Sequence, residues 1–214
     1  MAATKPASRV RTICTCKSTS VVRGRARDRA LACNTSPMGE AHVTGYLGIV
    51  ADGWRFQPRV AAVFLRREHV LLQRAIDGPF WVFPGGRVQP LERTSDALVR
   101  TMRGEIGQDV TLQRLYWVME YLTRLGDGWL HELGFYYAVD LPEGSPFLDL
   151  AATHAGNERG HELTLRWFPV AALEDVPLLP SFFRTALRQP PDEIQHVVVD
   201  ETSASSGVVA SPSA

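Results

Sequence analysis

The sequence has few cysteines, and none of them lies beyond residue 33. Its 214 residues contain three, Cys14, Cys16 and Cys33, all near the N-terminus. The rest of the chain therefore has no thiol with which to form a disulfide or a cysteine-bound metal site. This distribution favours a reducing compartment, and we expect a cytoplasmic location.

Long apolar runs are absent as well. No stretch of the sequence approaches the roughly 18 consecutive apolar residues that suggest a membrane-spanning helix. The early basic residues are not followed by the apolar core that a secretory signal requires. We therefore expect no membrane segment. The length suits one well-buried domain and is short for two.

Positive charge is scarce in the body of the chain and concentrated at its front. The first 30 residues contain eight Lys or Arg against one acid, Asp28, whereas the remainder contains 15 Arg against 22 acids. We expect residues 1–45 to be a disordered basic tail, within which Met38 is an alternative start. The composition of this tail resembles a transit peptide or a nucleic-acid-binding arm, but a flexible tail is the simpler interpretation. Nucleic acid is therefore not the expected partner.

Between residues 46 and 200 the hydrophobic pattern is that of an α/β domain. Two Val- and Leu-rich runs flank a charged turn and predict a hairpin. The predicted strands are 60–65, 70–73, 80–83, 110–122, 130–141, 163–170 and 194–199, and a short helix is predicted at 181–188. The Gly-Asp-Gly turn at 126–128 joins the two longest strands. Residues 201–214 are rich in Ser, Ala and Gly, so we expect a second disordered tail.

A longer helix is predicted after residue 93 from its capping signals and its spacing. Thr94 or Ser95 can cap its N-terminus, and Asp96 in the first turn interacts favourably with the helix dipole. Apolar residues then recur at helical spacing, and Gly107 supplies the stop.

The loop before this helix and the helix itself carry the most specific motif in the sequence. Gly86 is followed after five residues by Glu92, after seven more by Arg100, and then by Glu105 and Gly107. This spacing resembles the Nudix box, G-x5-E-x7-R-E-U-x-E-E-x-G-U, in which U is aliphatic. The preceding Trp-Val-Phe-Pro-Gly is also how members of that family usually enter the box.

This resemblance implies a fold and an activity. Residues 86–108 would be a degenerate Nudix box within a Nudix-type α/β/α sandwich that has a mixed central sheet. Members of the family cleave a nucleoside diphosphate linked to another group, using Mg²⁺ or Mn²⁺ held by helix glutamates. We therefore expect a small nucleotide-diphosphate ligand and Mg or Mn as the cofactor. A homodimer stays open, because dimers are common in the family.

Two of the three glutamates that hold metal in the family are missing from this sequence. Thr101 and Gly104 stand in their places, and only Glu105 is retained. A neutral hydroxyl is a weak ligand for Mg²⁺. The resemblance thus predicts a weakened metal site, formed by Glu105, Thr101 and the carbonyl of Gly85.

Four further box residues are expected to be structural. In the family, the equivalents of Glu92 and Arg100 form an ion pair that ties the loop to the helix. Gly86 allows a tight turn, and Gly107 ends the helix.

Other acids are candidates to replace the missing charge. Many family members place an additional carboxylate in a loop after the long strand pair, and here the corresponding loop is predicted at 149–162. It offers five candidate groups: Asp149, His154, Glu158, His161 and Glu162. We predict that Glu158 and Glu162 act in catalysis with Glu105. Glu120, in the first long strand, is a further candidate.

Two functions of different class are compatible with these residues. The first is a Nudix-type hydrolase with a depleted site. The alternative is a non-catalytic Nudix-fold protein that binds a nucleotide as a sensor or serves as a partner surface. If no acid from 149–162 approaches Glu105, the binding function is favoured.

Overall fold

The computed structural model describes residues 45–202. The basic segment and its cysteines, together with nearly all of the second expected tail, lie outside the described residues. No helix within residues 45–202 is both long and apolar enough to cross a membrane.

Two β-sheets organise the part of the chain that the structure describes. In spatial order, the larger sheet contains β1 (Ile49–Ala51), β2 (Trp54–Val63), β7 (Gly128–Asp140), β6 (Thr111–Leu125) and β10 (Gln195–Asp200), and β5 (Gly85–Arg87) pairs with β2. The smaller sheet contains β3 (Leu65–Arg66), β4 (His69–Ala75), β9 (His161–Pro169) and β8 (Thr153–Glu158). The β2–β7 and β10–β6 pairs are parallel and the other pairs are antiparallel, so the large sheet is mixed.

Helices cover both faces of the large sheet. One hydrophobic core joins alternate residues of β2, such as Val60 and Ala62, to the helix α1 (Thr94–Ile106) and to β9. The intervening residues of β2, such as Ala61, belong to a second core with β4, β6 and the short helix α2 (Phe183–Ala186). The predicted α/β class with a mixed central sheet is confirmed.

The first predicted hairpin exists, but its first strand is divided between the sheets. β2 ends at Val63 in the large sheet, and β3 begins at Leu65 in the small one. Phe64, between them, is 1% exposed and anchors the crossing in the core. The turn predicted at 66–69 then joins β3 to β4.

Two segments differ from the predictions. Residues 80–83 form no continuous strand: Trp81 and Val82 make only isolated bridges, and their apolar pattern reflects burial rather than a ladder. Residues 149–162, which were predicted as a loop, largely form the hairpin of β8 and β9. The sequence did not indicate this hairpin because its first strand, β8, is short and mostly polar.

The start of α1 also differs from its predicted form. Its N-cap is Arg93, and no side chain caps it. Thr94 is already helical, and its hydroxyl shares a 2.6 Å hydrogen bond with the Tyr137 hydroxyl. At the other end Gly107 has a φ of 66° and donates its N–H to the carbonyl of Met102, as the stop signal predicted.

Glu201 was expected to begin the second tail, yet it is held in place. Its N–H donates to the carbonyl of Leu122, which extends the β10–β6 pairing by one residue. Its carboxylate accepts hydrogen bonds from Tyr121 and Ser181. Composition gave no sign of these contacts because all three partners are distant in sequence.

Candidate functional site

An ion pair with two contacts ties the loop before α1 to the helix. Arg100 Nε donates to Glu92 Oε1 at 2.7 Å, and Arg100 Nη2 donates to Glu92 Oε2 at 2.9 Å. Arg100 also donates to the carbonyl of Arg87, and the N–H of Gln89 donates to Glu92. The hydrogen bond from Arg100 holds the pKa of Glu92 below its ordinary value. These contacts fix the loop on the helix, which is the role that the resemblance implies for both residues.

Gly85 and Gly86 lie where the loop passes very close to its neighbours. A Cβ on Gly85 would overlap the carbonyl oxygen of Val60, because β5 is pressed against β2. A Cβ on Gly86 would lie 2.9 Å from Thr101 Oγ1. Thr101 is 4% exposed, and its hydroxyl has no hydrogen-bond partner.

Glu105 lies near the end of α1, against the strand β8. A Cβ on Gly156 would be 3.0 Å from the backbone oxygen of Glu105, so strand and helix are in direct contact. Glu158 is two residues further along β8 and therefore faces the same side as Gly156. The helix and the hairpin thus bring Glu105 and Glu158 towards each other.

The two carboxyl groups interact electrostatically. Burial, and then the charge of Glu158, raise the pKa of Glu105 to about 8, although Arg59, a hydrogen bond from Gln73 and Arg100 act in the opposite direction. Glu105 Oε2 is buried without a hydrogen-bond partner. An unpaired buried oxygen beside a second carboxylate is a place where a cation would be stabilising.

The other predicted groups of this region are not among those that act on Glu105, although Glu162 and His161 line the same cavity as Glu158. Glu162 pairs with Asn157, whereas Glu158 pairs with His161, so Glu162 projects from the opposite face of the hairpin. His154 stacks on Phe147 at 4.6 Å, far along β8.

Asp149 and Glu120 interact with groups other than Glu105. Asp149 accepts from the N–H of Ala151. Glu120 contacts His196 at 2.8 Å and His131 at 3.8 Å. None of these acids is among the groups that shift the pKa of Glu105.

Three residues that the sequence did not single out belong to the site. Arg59, on β2, donates through Nη2 to the carbonyls of Phe83 at 3.0 Å and Gly85 at 3.2 Å. Gln73 is 3% exposed and donates to Glu105. Glu132 is 6% exposed and accepts from Gln57 at 2.8 Å. The available signal was a polar residue within a buried strand, which is uncommon without a partner or a function.

A cavity of about 970 Å³ opens beside these residues. This volume is at the upper end of the range for small-molecule sites. Arginines from several elements line it, namely Arg55, Arg59, Arg74, Arg87 and Arg124. Glu158, Gly85 and Gly86 also line the cavity, whereas Glu105 is not among the residues that line it. Five acids line it as well, namely Asp77, Glu132, Glu158, Glu162 and Glu201, so the cavity has no excess of positive charge. Arginine is nevertheless the side chain best suited to phosphate recognition, so individual arginines of the lining suit phosphate oxygens.

The oxygen atoms that the site offers determine what kind of metal ion it can bind. Within residues 45–202, no group of three or more His, Cys, Asp or Glu side chains converges as a metal site. The family's cluster of helix glutamates is therefore absent from the described part of the chain. The site still offers the carboxylates of Glu105 and Glu158 and the unpaired hydroxyl of Thr101, all hard oxygen donors. Mg²⁺ is commonly bound by one or two carboxylates together with substrate phosphates, so these residues fit one ion held jointly with a ligand.

Comparison with known proteins assigns the family. The family model of the NUDIX domain matches residues 55–197, well over half of the chain. The chain therefore belongs to the Nudix family. None of the curated proteins compared with the chain matches it.

Several solved structures are similar to this chain. The E. coli ORF135 protein is 24% identical, with a TM-score of 0.42 over 62% of this chain and 86% of that one. A NUDIX hydrolase from Nitrosomonas europaea is 16% identical, with a TM-score of 0.48 over 68% and 79%. An ADP-ribose pyrophosphatase from Streptococcus suis is 16% identical, with a TM-score of 0.44 over 67% and 98%. Because all three TM-scores are below 0.5, the family assignment rests on the family model.

Proposed function

We propose that the protein is a hydrolase that cleaves a nucleoside diphosphate linked to another group, using Mg²⁺ or Mn²⁺. The observation that carries this proposal is the approach of Glu158 to Glu105. The sequence favoured the binding function only in the case that no acid from 149–162 approaches Glu105. Glu158 belongs to that range, and its charge is the second-largest influence on the pKa of Glu105. Glu158 thus supplies part of the charge that the box has lost.

The residues of the site have separable roles in this proposal. Glu105, Glu158 and Thr101 would hold the ion, which when bound polarises the diphosphate and acidifies a water. Glu158 lines the cavity and can accept a proton from an attacking water. An arginine of the cavity lining would bind and orient the phosphates. Glu92 and Arg100 keep the loop and the helix in register.

The test is turnover of a panel of nucleoside diphosphate derivatives by the full-length protein in Mg²⁺ or Mn²⁺. The panel contains ADP-ribose, dinucleotides and nucleotide sugars, and released phosphate or mononucleotide is measured. Glu105→Gln and Glu158→Gln should each lower turnover by at least about 10 to 100-fold, the usual loss when a group that supports a metal is removed. Glu162→Gln is the matched control on the same hairpin and should lose less. Equal turnover in the wild type and Glu105→Gln would contradict the proposal.

The second candidate is a protein that binds a nucleotide without hydrolysing it. It is favoured by the lining of the cavity, which includes Arg59 and Gln73 but not Glu105. A ligand from the panel that raises the melting temperature, with no turnover above Glu105→Gln, would select this candidate.

A further inference from the structure

Arg59 places a permanent positive charge at the centre of the site. Its Nη2 donates to the carbonyls of Phe83 and Gly85, and the Gly85 carbonyl is the one that the resemblance assigned to the metal. The pairing of Gly85 with Ala61 of β2 holds this carbonyl in place. Arg59 therefore supplies a cation at a position where the family is expected to use a metal ion.

The charge of Arg59 is stabilised by its surroundings. Burial by itself would lower the pKa of Arg59, but Glu132, Tyr136, Glu158 and Glu105 raise it above its ordinary value. The guanidinium thus stays protonated at any pH at which the protein is folded.

Arg59 also has hydrogen-bonding capacity that the fold does not use. A guanidinium has five N–H donors, and both bonds to the carbonyls come from Nη2. Nε is buried and has no partner. The side chain lines the cavity, so a ligand that enters can reach it.

We propose that Arg59 is a built-in cation of the ligand site, which binds the diphosphate directly and allows it to bind without a divalent ion. The proposal deepens the proposed function, since it rests on the cavity being a diphosphate site. A guanidinium matches phosphate oxygens in charge and geometry, but it does not acidify water as a metal does. Binding of the diphosphate should therefore be independent of metal, whereas hydrolysis should require it.

The experiment measures binding of inorganic pyrophosphate to the full-length protein by calorimetric titration in EDTA. The wild type should bind under these conditions. Arg59→Met should weaken binding by about tenfold or more, because it removes the charge and the hydrogen bonds to a charged ligand. Arg59→Lys keeps the charge without the planar fork and should lie between the two.

Arg55→Met is the matched control. Arg55 is on the same strand and, four residues away, on the same face, and it also lines the cavity. Its loss changes the charge of the cavity by the same amount and should weaken binding by less than about threefold. Equal losses in Arg55→Met and Arg59→Met would overturn the proposal, as would wild-type binding that appears only with Mg²⁺. If Arg59→Met shows no cooperative melting and is therefore not folded, the Arg59→Lys variant tests the proposal instead. Wild-type affinity for pyrophosphate in Arg59→Lys would overturn the proposal.

Turnover of the same proteins in Mg²⁺ separates this inference from the proposed function. Pyrophosphate binding in EDTA without turnover of any substrate would support the role of Arg59 and contradict hydrolysis. Turnover together with strictly metal-dependent binding would support hydrolysis and overturn the role of Arg59.

Discussion

Among the individual side chains, Glu105 is the one whose chemistry depends most on its surroundings. On an isolated helix it would be an ordinary solvated carboxylate. In the fold it is partly buried, and Glu158, Arg59 and Gln73 all act on its pKa. Its proton is therefore coupled to folding, and that coupling can be measured without a substrate.

The stability of the protein should decrease with rising pH because of Glu105. The pKa of Glu105 is raised from 4.5 to about 8 in the folded state, so between these values the unfolded chain releases a proton that the folded protein retains. The Glu105 contribution to stability is complete below about pH 4.5 and is lost as the pH rises towards 8. Relative to Glu105→Gln, the wild type should lose on the order of a few kcal/mol of unfolding free energy over this range.

Denaturant unfolding at pH 5 and pH 8 in EDTA measures this difference. Glu105→Gln keeps the shape of the side chain and removes its titration. If both proteins lose the same stability between the two pH values, Glu105 does not have the raised pKa.

Within the secondary structure elements, α1 combines a tightly packed face with an open one. Thr101 on the packed face meets Gly86 of the loop, whereas Gly104 on the exposed face has open space around it. In the family pattern this second position carries a glutamate. The helix therefore contains one glycine that nothing in the described packing requires.

Gly104→Ala should stabilise the protein by up to about 1 kcal/mol, because alanine is the better helix former and its Cβ meets nothing. Gly86→Ala is the contrasting change of the same size. Its Cβ would lie 2.9 Å from Thr101 Oγ1, so it should destabilise the protein. Denaturant unfolding of each variant measures its change in unfolding free energy. A loss of stability in Gly104→Ala would show that the glycine has a role that the packing does not reveal.

Across the whole molecule, Glu201 joins parts that are far apart in the chain. Tyr121 in the large sheet donates to its carboxylate at 2.6 Å, and the N–H of Ser181, just before α2, donates to it at 3.0 Å. Both Tyr121 and Glu201 line the cavity. The last described residues thus brace one wall of the site.

Glu201→Ala should lower the free energy of unfolding by about 1 to 3 kcal/mol, because it leaves the buried Tyr121 hydroxyl without its acceptor. Glu193→Ala, at an exposed nearby position, should change it by less than about 0.5 kcal/mol. In a Tyr121→Phe background the effect of Glu201→Ala should shrink. An undiminished effect there would mean that Glu201 acts through Ser181 alone.

The sequence by itself determined the features whose partners are close in the chain. The stop at Gly107 and the turn at 126–128 each involve a few neighbouring residues, so local geometry was enough to predict them. The ion pair of Glu92 and Arg100 was expected from the resemblance to the Nudix box. The motif also showed that two metal-binding glutamates are missing. Family and fold class follow from such local patterns.

Only the tertiary structure decided which other charged groups lie near Gly85 and Glu105. Arg59 reaches Gly85, and Glu158 reaches Glu105, from strands whose register is fixed by the packing of the whole sheet. A shift of one residue would turn either side chain to the opposite face. Composition and spacing do not determine that register, because it depends on how all the apolar faces are buried together.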